Sequence, residues 1–206
     1  VCRRIDLEGC PEVEALAENV SNTARSTTIS KGAASVSTIE HILSALTGMG
    51  VDNAIIEIDN VEVPILDGSA KPYIDAMWAD GFTKQDALRR YIEVKETIEI
   101  RNDETGSVVR IEPADEFSYD IKVDFNSRVL GVQYAQWDPS VVYAEEIGVC
   151  RTFVFFHEIE FLFKNGLVKG GDVDNAIVIV EHPVTPEQVQ NMSNLFNIPA
   201  LEVRED

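Results

Sequence analysis

Two features of this 206-residue sequence predict an α+β fold made of two similar domains, each a sheet layered against helices. The first is an internal repeat. Residues 51–55 and 173–177 both read VDNAI, and each copy follows an apolar, helix-like stretch that ends in glycine and opens an apolar strand. Two copies of one supersecondary frame point to a duplicated unit, although two helix-to-strand turns of convergent sequence would look the same. The second is the order of the elements. Helical periodicity and two-residue alternation follow one another without regular βαβ succession, which favours sheets covered by helices on one face.

The elements follow in order. In a first domain over residues 1–85, ARSTTIS (24–30) and AIIEI (54–58) read as strands. TIEHILSALTGM (38–49) and SAKPYIDAMWADGF (69–82) read as helices. The join lies near TKQDALRR (83–90). In a second domain over 86–206, RRYIEVKETIEIRND and GSVVRIEPADEFSYDIKVDF alternate apolar and polar residues like antiparallel strands, with NDETG as a hairpin turn between them. VVYAEEIGV and FHEIEFLFKNG then read as helices, and NAIVIV as a strand. The tail that follows carries prolines at 183, 186 and 199 and is expected to be an irregular surface excursion.

Composition narrows the function classes. An apolar content of 45% is ample for a packed core. A net charge of −19 argues against a nucleic-acid footprint and against docking on an anionic membrane. Cys2, Cys10 and Cys150 have neither disulfide nor zinc-ribbon spacing and read as cytosolic thiols, so a cytoplasmic location is expected. No apolar run approaches the roughly 18 residues of a membrane helix. The opening VCRRIDLEG, without an initiator methionine, suggests a piece of something longer.

The stretch STIEHILSAL (37–46) sets Glu40 beside His41 at the start of a helix. Ser37 three residues before Glu40 makes a capping box, which would account for the glutamate alone. Ile39, Ile42, Leu43 and Leu46 supply the buried stripe, and Glu40 and His41 lie off it. A cap beside a surface histidine and a metal or catalytic pair therefore both fit. A hydrolytic zinc normally has three protein ligands and a nearby carboxylate base. The three histidines, His41, His157 and His182, are followed at i+4 by Ala45, Phe161 and Pro186, so the chain holds no HExxH and no HxxxD. It also lacks a Walker loop, GxSxG and GxGxxG, and DGSA and KGGD read as turns.

The string STIEHILSALTGMGVDNAIIEIDNVEVPILDGSAKPYI closely resembles the UDP-3-O-acyl-N-acetylglucosamine deacetylase (LpxC) family, the zinc amidases at the committed step of lipid A synthesis. A second block, CRTFVFFHEIEFLFKNGLVKGGDVDNAIVI, resembles the family's RTF motif, helix and Gly-Gly strand entry. The opening RRIDLEG…AENVSNTARSTTI agrees. The resemblance runs in order over residues 3–180 and implies two similar sheet-and-helix domains. It implies that His41 is a zinc ligand and that Glu40 is the base activating the water. It likewise implies that the Thr152 hydroxyl helps stabilise the oxyanion. Phe153 and Phe155 are similar to aromatics stacked at the sugar end, and simple core packing explains them equally well. Ile159, Phe161, Val168 and Gly171 match positions lining the family's acyl tunnel, where an amphipathic helix on its own sheet is the plain alternative. Asp67 belongs to the motif and reads as structural. The implied substrate is a UDP-linked acylated amino sugar, and the implied cofactor is zinc.

The chain departs from the family in several places. The later helix with a histidine and an aspartate one turn apart, a further histidine and the first strand pair are absent from this sequence. His157 stands where a basic residue is usual, and Val154 where a glycine is. The chain therefore resembles a fragment whose zinc site is incomplete, expected to bind zinc weakly and to be inactive alone. A non-catalytic nucleotide-sugar or scaffold module is the rival reading. A third is a piece of a bifunctional lipid-synthesis protein, to which the unusual tail lends some support.

Overall fold

The computed structural model describes residues 1–164 and 174–199. Its elements mix short strands with helices, the α+β class expected. The strand β1 (Cys2–Arg4) pairs antiparallel with β2 (Glu12–Val13). A 3-10 turn over Ala17–Asn19 leads into β3 (Val20–Asn22), β4 (Thr28–Lys31) and β5 (Ala34–Val36), an antiparallel three-stranded sheet. The helix α1 (Glu40–Gly48) follows, and then β6 (Ile56–Ile58), which returns parallel to β1 with Cys2 opposite Ile56. The helix α2 (Lys71–Asp80) starts with proline near its first turn, where a missing N–H costs nothing.

Between these two sheets and α1 lies the main core. Cys2, Val13, Ile29, Ala34, Val36, Ile39, Ile58 and Val63 are all buried, with Ile42, Leu43, Ile56 and Tyr73 packed against them. The period-2 strands and the period-3.6 helix deliver their apolar residues to one side. Of the expected stripe, Ile39 is buried and Ile42 and Leu43 pack partly buried against this core, whereas Leu46 lies outside it and Ala45 is fully buried instead. A second cluster joins Ala45, Ala70, Ile74 and Ala144, so residues from both halves of the sequence share one core.

The later part contains β7 (Ile98–Arg101) and β8 (Val108–Ile111), the hairpin expected around NDETG, in which the amide of Asn102 donates to the Ser107 carbonyl at 2.8 Å. A second hairpin, β9 (Tyr119–Asp124) with β10 (Val132–Trp137), follows, and its second strand has no counterpart in the sequence-based expectation. The expected strand over RRYIEVKE does not form. Tyr91 and Ile92 are almost fully exposed, and pairing begins only at Ile98. The short helix α3 (Tyr143–Glu146) precedes β11 (Phe153–Phe155), α4 (Phe156–Lys164) and β12 (Ile177–Ile179). β11 and β12 pair in parallel, with Phe153 opposite Ile177. Each VDNAI copy thus leads into a three-residue strand that pairs parallel to an earlier one.

The tail is not irregular. Residues Pro186–Phe196 form α5, opened by a reciprocal capping box. The Gln188 amide donates to Thr185 Oγ1 at 3.2 Å, and the Thr185 amide donates to Gln188 Oε1 at 2.8 Å. The string T-P-E-Q carries this signature, with proline at N1, where the ring starts a helix and does not break one. Among the described residues no helix is long and apolar enough to cross a membrane.

Candidate active site

The Glu40–His41 pair opens α1, but not through the capping box. The residue preceding the helix is Ile39, with no side-chain cap. The Ser37 hydroxyl donates to the Val61 carbonyl at 3.3 Å, and Thr38 Oγ1 to Glu62 Oε1 at 2.8 Å. Ser37 lies in a backbone bridge with Glu62, which fixes both residues sideways and takes the serine away from the helix end. Glu40 is turned to another partner, accepting the backbone N–H of Thr27 just before β4. Its side chain is exposed, and that of His41 half-buried.

The turn between β3 and β4 is tight. Asn22 Oδ1 accepts the Ala24 amide at 2.7 Å, and Arg25 sits at φ +61°, a left-handed backbone unusual for a side-chain-bearing residue. From this turn the Arg25 guanidinium reaches Glu158 on α4 at 2.8 Å, across 133 residues of sequence. The Arg25 hydrogen bond holds the Glu158 carboxyl below its ordinary range, against a smaller opposing push from burial.

Thr152 is fixed from both sides. Its amide donates to the Gly68 carbonyl at 2.8 Å, and its own carbonyl accepts the Ile177 amide at 2.9 Å. Arg151 beside it donates from Nε to the Asp67 carbonyl at 2.7 Å and also to the Asp174 carbonyl. The DGSA turn therefore docks on the entrance to β12. Gly68, at φ +84°, is required there: a Cβ would come within 1.9 Å of the Asn175 carbonyl oxygen. Asp67 Oδ1 accepts both the Ser69 amide (3.0 Å) and the Ser69 hydroxyl (2.8 Å). Partial burial pushes this carboxyl up, but the two Ser69 hydrogen bonds and the Arg151 charge together outweigh it and leave it below its ordinary range.

The aromatic residues form a chain. Phe153 meets Phe125 and Phe155 edge to face, at 5.4 and 5.6 Å between centroids, and Phe155 stacks on His157 at 5.5 Å. Phe153 is partly exposed and Phe155 half-buried, so neither is a simple core residue. On α4, Ile159 and Leu162 are buried while Phe161 is 62% exposed. Two residues apart on a helix, Ile159 and Phe161 face different sides. Val168 and Gly171 lie outside the described residues.

Sequence reasoning missed the residues that tie these segments together, namely Arg25, Glu158, Arg151 and Gly68. DGSA was legible as a turn, but nothing in the string indicates what it docks against. Among the described residues no three His, Cys, Asp or Glu side chains come together to hold a metal ion. His41 is a single imidazole, and one imidazole with an exposed carboxylate that already accepts an amide does not make a catalytic zinc site. The described residues thus do not fit a complete zinc centre.

In comparison with known proteins, residues 1–195 match the LpxC family, described as UDP-3-O-acyl N-acetylglycosamine deacetylase. The chain is 41% identical over 203 residues to the bifunctional enzyme LpxC/FabZ of Porphyromonas gingivalis, covering 98% of this chain and 44% of that protein. It is 40% identical over 190 residues to the UDP-3-O-acyl-N-acetylglucosamine deacetylase of Thioalkalivibrio sulfidiphilus, covering 91% of this chain and 62% of that one. Against the deacetylase of Helicobacter hepaticus the identity is 43% over 173 residues, 84% of this chain and 57% of that one. The chain thus spans from under half to about three-fifths of the length of these relatives.

Proposed function

We propose, from the premise that the chain belongs to the UDP-3-O-acyl-N-acetylglucosamine deacetylase (LpxC) family, that it forms the base-bearing part of an amidase. The enzyme would remove the acetyl group from a UDP-linked, 3-O-acylated glucosamine in lipid A synthesis. One observation carries the reading. The β3–β4 turn, whose Thr27 amide contacts Glu40, is joined by the Arg25–Glu158 ion pair to α4, the helix that directly follows the segment Thr152 to Phe155.

In this reading Glu40 takes a proton from the attacking water, and the Thr27 amide holds one of its two oxygens so that the other faces the reaction. The Thr152 hydroxyl donates to the oxyanion. Its backbone is clamped on both sides, so the donor is in place before charge develops. Phe153 and Phe155 offer flat faces to the hexose, and the exposed Phe161, with Val168 and Gly171, lines the way for the acyl chain, while the buried Ile159 on another side of α4 supports that helix from within. His41 would contribute one zinc ligand, and we place the remaining ligands outside the described residues. A cytoplasmic location and a division near residue 85 belong to the same reading.

Glu40→Gln in the full-length protein keeps the shape and the amide contact but not the basicity. A fall in kcat of about 10²–10⁴-fold with unchanged KM and zinc content is expected. An unchanged kcat would remove Glu40 as the base.

A second reading concerns the whole protein. The match to the bifunctional LpxC/FabZ relative takes in 98% of this chain, against 91% and 84% for the two deacetylases. We therefore infer a protein that also carries a second enzyme. Since 203 residues are 44% of the bifunctional relative, its length is about 460 residues. Since 190 are 62% of the Thioalkalivibrio enzyme, that one has about 310. The intact mass of the native protein separates the two lengths.

A further inference from the structure

We propose that Arg25 and Glu158 form a latch that positions the Glu40 carboxylate through the turn between β3 and β4. The latch matters to catalysis only if Glu40 is the base, and its geometry is local to one short segment. At one end of the turn, Arg25 Nη2 lies 2.8 Å from Glu158 Oε1 on α4. Two residues further on, the Thr27 amide donates to Glu40 Oε1. The turn that leads up to Arg25 is only loosely fixed by its own contacts. Asn22 caps Ala24 at 2.7 Å, Arg25 occupies a left-handed backbone state, and the β3–β4 pairing breaks register between Val20 and Asn22.

An exposed turn carrying such a register break is the kind of segment that opens locally at little cost. Without an anchor, the Thr27 amide would visit orientations that do not reach Glu40. Glu158 supplies the anchor, and it does so from α4, the helix that directly follows β11. The side chains of the pair are 51% and 28% exposed, so it adds little to global stability, as surface ion pairs do. Its consequence is orientation, and a small misplacement of a base is costly in rate. Arg25 is in this sense a positioning residue, since no reacting atom touches it.

The first test is hydrogen exchange of the Thr27 amide, read by NMR on this chain. Arg25→Ala should accelerate it about tenfold or more, Arg25→Lys should restore most of the protection, and the Lys31 and Ala34 amides of the next hairpin should not change. Unchanged Thr27 protection in Arg25→Ala overturns the latch. The second test uses the full-length enzyme. Arg25→Ala should lower kcat about tenfold at constant KM, and Arg25→Ala combined with Glu158→Ala should do no worse than either alone. A raised KM at constant kcat would mean that the pair binds substrate instead, and would overturn the proposal. If the single variants fail to fold, the charge-swapped pair Arg25→Glu with Glu158→Arg serves, since it should recover Thr27 protection; failure to do so also overturns it. A wild-type full-length protein without deacetylase activity would sink the proposed function, while the exchange measurement would still decide the latch.

Discussion

Replacing Gly68 by alanine attacks the junction between the DGSA turn and the entrance to β12, and the contacts there set its cost. At φ +84° an alanine has the left-handed penalty of about 1–2 kcal/mol. The new Cβ would lie 1.9 Å from the Asn175 oxygen, 2.9 Å from its carbonyl carbon and 3.3 Å from Thr152 Cγ2. Two of these atoms are backbone and cannot swing aside, so the turn must lift off. Lifting it breaks the 2.8 Å bond from the Thr152 amide to the Gly68 carbonyl and the Arg151 contact to the Asp67 carbonyl, each worth about 1 kcal/mol net. The sum is about 3–4 kcal/mol. With an m-value of about 2 kcal/mol/M, the urea midpoint falls by about 1.5–2 M. Gly32→Ala is the control. It has φ +57° with no atom within 4 Å of its Cβ, so only the left-handed penalty applies there. Urea unfolding of both variants checks the arithmetic. A Gly68→Ala midpoint no lower than that of Gly32→Ala would refute the close docking of the turn on Asn175.

Other predictions follow from single groups. Burial pushes the Tyr73 hydroxyl up to about 12, and the hydroxyl donates to the Pro64 carbonyl. Because the folded pKa lies above the ordinary value near 10, the group's contribution is complete below pH 10 and is lost as pH rises toward 12. Absorbance titration should show a late-ionising fraction among the five tyrosines, to which the half-buried Tyr143 also contributes, and Tyr73→Phe should diminish it; loss of a step near pH 10 instead would contradict the burial of Tyr73. After dialysis against metal-free buffer, this chain should retain far less than one zinc per molecule, measured by atomic emission. Near-equimolar tight zinc would show that ligands beyond His41 complete the site within this chain.

The sequence by itself determined a good deal. Apolar periodicity placed α1, α2 and α4 and the strands around Ile29, Ile56–Ile58 and Ile177–Ile179, because burial of a 3.6- or 2-residue stripe leaves a local signature. Two long motif blocks were enough to identify the family. Where competing local signals met, reading by string went astray. Ser37 and Glu40 satisfy the spacing of a capping box, yet a bridge to Glu62 and the amide of Thr27 offered better partners. Proline-rich spacing concealed α5, although its cap was written in Thr185 and Gln188. Only the tertiary structure decided how the segments meet. Arg25 with Glu158, Arg151 with Asp67 and Asp174, and Gly68 against Asn175 are pairings across 23 to 133 residues, set by which surfaces come together on packing. No local propensity encodes such a pairing, because its energy exists only after both partners have been folded and brought into contact.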